Sequence, residues 1–192
     1  MENKKRAFGI DKANCKIRGK EKDLYGWVGK FLDKNYNPNQ QETQQGGYGR
    51  IDVHVIDEKD KKCRKIGVEV KPYFTILGAE GAKAFGQALL CKEREDVKKM
   101  FVAFPMSDRK EDSKELIENF EENKPRLRRF QKIWEKLGLL QEKGEIGNFS
   151  IKDINKHIYN KVYSSLGIGF LGIMGTVKDG KFELEKDPVK EL

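Results

Sequence analysis

Long apolar runs are missing from this chain. Its greasiest segment, Gly167-Ile168-Gly169-Phe170-Leu171-Gly172-Ile173-Met174, is far shorter than the roughly 20 residues a membrane-spanning helix needs. The basic start, Met1-Glu2-Asn3-Lys4-Lys5-Arg6, is not followed by an apolar stretch of signal-peptide length, so neither secretion nor a membrane partner is expected. Cysteine is scarce too. Cys15, Cys63 and Cys91 are odd in number and lack paired spacing, which excludes a disulfide framework and points to a reducing, cytoplasmic setting. Three thiols also fall short of the four that an iron–sulfur cluster takes.

Charge, by contrast, is abundant. Charged residues make up 36% of the chain against 37% hydrophobic, so the core must be economical and the surface heavily ionised. Lysine and arginine number 39 and acids 31, a formal charge of +8. Such an excess attracts polyanions and makes nucleic-acid binding salt-sensitive; it equally fits a Lys/Glu-rich, heat-adapted surface. The length of 192 residues suits one domain with an appended C-terminal element.

The most informative stretch is Gly49-Arg50-Ile51-Asp52-Val53-His54-Val55, followed after Asp57-Glu58-Lys59-Asp60-Lys61-Lys62 by Ile66-Gly67-Val68-Glu69-Val70-Lys71-Pro72. Two alternating runs around a charged turn predict a β-hairpin, with Ile51, Val53, Val55, Val68 and Val70 on one face. The other face carries Asp52, Glu69 and Lys71. A turn centred near Asp60 and Lys61 sets Asp52 opposite Glu69, where side chains stand about 5 Å apart. Two carboxylates at that range repel by roughly 1 kcal/mol in water and more near an interior. A hard divalent cation answers that repulsion, with Lys71 as a neighbouring positive group; a solvated polar face is the plainer alternative.

Asp52 followed by Glu69-Val70-Lys71 at the end of the next strand resembles the signature of the PD-(D/E)xK nucleases, a superfamily that includes many restriction endonucleases and Holliday-junction resolvases. Ile51-Asp52 stands where the nominal pattern has Pro-Asp, a departure that keeps the metal-binding acid. Further segments fit the resemblance. Glu21 to Leu32 predicts a helix with an apolar stripe at Leu24, Trp27 or Val28, Phe31 and Leu32. Ala79 to Lys92 predicts a second helix, and Lys99 to Pro105 a short strand ended by proline. Helix, hairpin, helix and strand in this order resemble the restriction-endonuclease-like core over about Lys20 to Pro105. Cys91 falls four residues after Gln87, where the branch with iron–sulfur clusters has tyrosine, a departure from that branch.

The resemblance implies an α/β fold, a central mixed β-sheet flanked by helices, over residues 1–150, with 151–192 as a small α+β extension packed on the core. It implies a Mg²⁺- or Mn²⁺-dependent deoxyribonuclease, an endonuclease acting on DNA. Asp52, Glu69 and the Val70 carbonyl are then the metal ligands. Lys71 positions the attacking water and steadies the phosphate, Glu21 serves a second cation or a metal-bound water, and Gln87 orients Lys71 or the phosphate. The alternative is an inactive nuclease-like fold that binds nucleic acid or protein without turnover. A third reading is an unrelated domain whose hairpin carries these residues by chance. No helicase or second catalytic motif is present, so a compact stand-alone enzyme, a homodimer cutting two strands, is expected.

The other segments are less specific. Asp33 to Gly49 is polar and rich in turn residues, with a weak strand expected at Gln41 to Gln44 and a loop that either contacts substrate or has no role in recognition. Ser107 to about Asn123 predicts a helix, and Pro125 begins another with Leu127, Phe130, Trp134 and Leu137 on one face. Arg126, Arg128, Arg129 and Lys132 lie off that stripe, as phosphate contacts or as a solvated face. Gly138 to Gln141 is expected as a final core strand. A helix at Ile154 to Leu166 and a turn at Asp179-Gly180 complete the chain. His54 and His157 are expected to be structural.

Overall fold

The computed structural model describes residues 6–11, 14–36, 44–45, 51–57, 59–76, 78–118, 132, 135 and 149–192. In chain order the elements are β1 (Ala7–Asp11), β2 (Lys16–Ile17), α1 (Lys22–Tyr36), β3 (Gln44–Gln45), β4 (Val53–Ile56), β5 (Lys65–Val70) and α2 (Ala79–Lys92). They continue with β6 (Val97–Met106), α3 (Lys110–Glu118), α4 (Ile151–Ile158), β7 (Gly169–Lys178) and β8 (Lys181–Glu191). The class is α/β. Seven strands form a mixed sheet, and the two-residue β2 extends it at the β1 edge, giving the order β2-β1-β8-β7-β6-β5-β4-β3.

The hairpin forms in the register its sequence predicts, but the ladder stops at Val53 and Val68, so the expected Asp52–Glu69 pair is not part of it. Val53 pairs with Val68, His54 with Gly67, Val55 with Ile66 and Ile56 with Lys65, around a turn at residues 59–62. Parallel pairing of β5 to β6 and of β6 to β7 follows, which buries β5 on both sides. Side chains of β6 then alternate between two cores. Phe101 and Ala103 join Val53, Val55, Val68 and Val70 beneath Leu24, Val28 and Leu32 of α1. Met100, Val102, Phe104 and Met106 join Ala84, Phe85 and Ala88 of α2 and Ile154 and Ile158 of α4. Each fully buried Phe or Met contributes about 2–3 kcal/mol of transfer free energy, so this strand anchors both layers.

Two details of these strands differ from the sequence-based expectation. Ile51 does not share a face with Val53 and Val55: the chain bends at Asp52, and Ile51 packs in the α2-side core. A Cβ on Gly67 would fall 2.7 Å from the Ile51 side chain and 2.6 Å from the Met100 sulfur, so glycine makes room for that crossing. Pro105 does not end β6, which runs to Met106. Pairing of β5 to β6 stops at Val70 with Ala103, and the Lys71 N–H donates to the Ala103 carbonyl. Backbone alternation turns the nitrogen of Pro105 to the same side, beyond the end of β5, where no N–H is required.

The C-terminal residues, expected as an extension on a finished core, instead supply two inner strands. β7 lies between β6 and β8, and β8 carries β1 on its far side. The turn between β7 and β8 has Asp179 at φ 51° and Gly180 at φ 69°, the left-handed pair a tight two-residue hairpin requires. The helix expected from Ile154 begins at Ile151. Ser150 caps it, its hydroxyl accepting from the Asp153 N–H at 3.1 Å while the Asp153 carboxylate accepts from the Ser150 N–H at 3.3 Å. A π turn (Tyr159–Tyr163) and a 3-10 turn (Ser164–Leu166) complete that segment.

The strand expected near Gln41 to Gln44 is the pair Gln44–Gln45, with Gln44 opposite His54. Residues 37–43, 119–131 and 136–148 lie outside the described residues, and with them Leu127, Phe130, Arg126, Arg128, Arg129 and the strand expected at Gly138 to Gln141. Among the described residues no helix is long and apolar enough to cross a membrane.

Candidate active site

Four of the chemically interesting residues meet where β5 ends, between the start of α1 and the inner side of α2. Glu69 and Lys71 are successive same-face residues of β5 and its exit, only 3% and 6% exposed. Ionisable side chains are seldom buried so deeply without a partner. Here they hold one another: Lys71 Nζ lies 2.7 Å from Glu69 Oε1 and 3.7 Å from Glu21 Oε1. Glu21 stands immediately before α1, which brings a second carboxylate to the same amine.

Asp52 sits on the bend before β4. Its Oδ2 accepts the Val70 N–H at 2.9 Å, and its Oδ1 accepts the Tyr25 hydroxyl at 2.8 Å. The carboxylate thus replaces a backbone partner at the open end of the hairpin. Hydrogen bonds to a charged acceptor are worth roughly 1.5–3 kcal/mol, enough to fix which way this side chain points. N–H and C=O of one strand residue face the same side, so the Val70 carbonyl leaves β5 toward Asp52.

The electrostatics follow from this crowding. Burial pushes the Glu69 carboxyl up to about 7, and the charge of Asp52 adds to the rise despite the opposing effect of Lys71. Burial also raises Glu21, partly offset by Lys71. Lys71 is held protonated: burial opposes its charge, but Glu69, then Glu21 and Asp52, outweigh it. Tyr25 is raised by burial and by its bond to Asp52, so it remains a donor. One ammonium does not balance three carboxylates.

Gln87 belongs to the face of α2 that looks at these acids. Lys83, one turn earlier, exerts its charge on Glu21, and Cys91, one turn later, feels Glu69 and Asp52. Between them the Gln87 Oε1 atom is buried and has no hydrogen-bond partner among the described residues, so it accepts nothing from Lys71. His54 is elsewhere. It lies opposite Gly67, its charge neighbours are Lys65, Asp96 and Arg94 at the far end of the hairpin, and burial lowers its pKa. His157 lies on α4, remote in sequence from the motif.

Tyr25 was not singled out in the sequence, although it stands four residues after Glu21 and so on the same side of the first helix. Tyr25 lies beside the expected apolar stripe of that helix and not on it, and its body is buried in the α1-side core.

Do these residues suit a divalent ion? Among the described residues no group of three or more His, Cys, Asp or Glu side chains is arranged to hold a metal. An ion would rest on two side chains, Asp52 and Glu69, with the Val70 carbonyl and oxygens from water and substrate. That is ordinary for Mg²⁺, which keeps several waters and uses one or two carboxylates. The raised Glu69 carboxyl is the observation that favours it, because a cation beside Asp52 would relieve the repulsion that contributes to the rise. No protein-family model, no curated protein and no solved structure matches the chain.

Proposed function

We propose that this chain is a metal-dependent nuclease that hydrolyses phosphodiester bonds of DNA, built on a restriction-endonuclease-like core of the PD-(D/E)xK kind. The observation that carries the reading is the buried Glu69–Lys71 pair at 2.7 Å, beside an Asp52 carboxylate fixed by Tyr25 and the Val70 N–H. A strand that merely needed to pack would do so at least as well with apolar side chains, since taking charges out of water costs several kcal/mol per ion before pairing offsets it.

Asp52, Glu69 and the Val70 carbonyl would hold the ion. When bound, Mg²⁺ supplies Lewis acidity, lowering the pKa of water and neutralising charge on the phosphate. The residues of the chain do the rest. Lys71, kept protonated by Glu69 and Glu21, offers N–H donors to the attacking water or to a phosphate oxygen as negative charge develops. Glu21, with its raised carboxyl, is placed to accept a proton from that water. The amide of Gln87, with an unclaimed acceptor, faces the same space and can orient either group.

The test is incubation with plasmid, linear duplex, single strand and RNA, each with Mg²⁺, with Mn²⁺ and with EDTA. Cleavage of DNA that requires the metal, and its loss in Asp52→Asn, Glu69→Gln and Lys71→Ala, is the expected result. Full activity in Lys71→Ala overturns the role of that amine. Binding of DNA without cleavage under any metal leaves a binding module in place of an enzyme.

A further inference from the structure

A second concave surface lies on the other flank of α1. It is a cavity of about 480 Å³ walled by Arg6, Lys30, Lys34 and Lys186, with Asp187 as its one carboxylate and Trp27 on its wall. Its construction is specific. Trp27, Lys30 and Lys34 recur at helical spacing and so share one side of α1. Lys186 and Asp187 come from an irregularity of β8: two steps along β7, from Ile173 to Gly175, are matched by five along β8, from Val189 to Leu184. The surplus residues leave the ladder and project beside α1. Pro188 sits among them, where no ladder N–H is required.

These cations are gathered together without neutralisation. Lys30 Nζ is 5.1 Å and Arg6 Cζ 5.8 Å from the centre of the Trp27 ring, so two positive groups already cover the indole. The indole N–H is buried with no acceptor among the described residues. Lys65, Lys98, Lys99 and Lys190 pair with Asp96, Asp57, Glu191 and Glu185, while most other described lysines stand singly on the surface; the cavity differs in drawing four cations around one indole. Among the described residues none of the four cavity cations makes an ion pair. Lys30 and Lys34, one turn apart with like charge, repel by a few tenths of a kcal/mol, a cost that an anion would reverse.

We propose that this cavity binds backbone phosphates of a nucleic-acid strand, as a second contact separate from the acid cluster. The choice of nucleic acid as the anion's source rests on the nuclease reading above. Because the ring is covered by cations, the contact is to phosphate and not to a stacked base, and it is indifferent to sequence. Lys30 and Lys34 stand roughly 14 and 20 Å along the helix from Glu21 at 1.5 Å per residue. That corresponds to about four to six base-pair steps of duplex from the site of cleavage.

Binding is measured by anisotropy of a labelled 30-base-pair duplex in EDTA over a range of salt, so the result does not depend on turnover. The double variant Lys30→Ala/Lys34→Ala is expected to bind about tenfold or more weakly at low salt and to lose about two from the salt slope. Asp187→Asn is expected to bind more tightly, a gain that misfolding cannot produce. Unchanged affinity and slope in both variants overturn the proposal, and so does full displacement of the duplex by millimolar inorganic phosphate, which assigns the cavity to small anions. If wild type never cleaves DNA but its binding follows these variants, the nuclease reading falls and the cavity stands. If it cleaves while the variants bind like wild type, the reverse holds.

Discussion

Glu69→Gln separates the electrostatics of the site from its packing. In the folded chain the Glu69 carboxyl titrates near 7 against an ordinary value of 4.5. A raised folded pKa means that the native state holds the proton more tightly than the unfolded chain. The corresponding stability is complete below about pH 4.5 and is lost as pH rises through about 7. At 1.36 kcal/mol per pH unit the whole loss is at most about 3–4 kcal/mol, and since the side chain is almost entirely buried no large discount for solvent applies. Glutamine keeps an oxygen for Lys71 but cannot ionise. Urea denaturation of wild type and variant without metal, from pH 4.5 to 8, is therefore expected to show their difference moving in the variant's favour by up to that amount. Added Mg²⁺ sharpens the comparison. At pH 8 and a hundredfold excess over its dissociation constant it should return about 2.7 kcal/mol to the wild type and nearly nothing to Glu69→Gln. Parallel pH profiles, or equal stabilisation of both proteins by Mg²⁺, would refute the argument.

Tyr25→Phe removes the hydroxyl that fixes Asp52 and nothing else. Cleavage is expected to survive at high metal, while the Mg²⁺ concentration for half-maximal rate rises about tenfold or more, as for other groups that orient a ligand; an unchanged metal titration removes Tyr25 from the site. Two glycines of α2 give opposite outcomes. A Cβ at Gly81 would lie 1.7 Å from the Ile76 carbonyl oxygen, so Gly81→Ala should destabilise by about 3 kcal/mol or more. Gly86 has nothing within 4 Å, and Gly86→Ala should stabilise by about 1 kcal/mol through helix propensity alone. Denaturation midpoints of the two variants, with soluble yield for the first, decide both.

The hairpin was legible because its information is local. A period of two and a charged turn fix the pairing of Val53 with Val68, and that register carries Glu69 and Lys71 to the same side. The two ends of α2, Ala79 and Lys92, follow from Gly78 before it and the charged turn after it. What escaped depends on partners distant in sequence. Ile51 crosses to the other core because the side chain of Asp52, not its backbone, satisfies Val70 eighteen residues away. Tyr25 lies off the expected apolar stripe, and only the fold brings Asp52 to its hydroxyl. Parallel pairing of Phe101 to Met106 with Gly169 to Met174 has no short-range signature, so nothing nearby in the sequence told that the last strands are inner ones.

That arrangement governs how the molecule can be assembled. Ala7 stands opposite Glu183 in the β1–β8 ladder, and the greasy edge of β6 is closed by β7. On the ribosome, therefore, β1 waits for a mate far downstream, and the hairpin of acids is made long before the layer that seals its neighbour. Non-local closures of this sort are slow, and an unsealed strand edge recruits other chains in the meantime. Docking of β7 and β8 is therefore the step expected to limit how much newly made chain escapes aggregation.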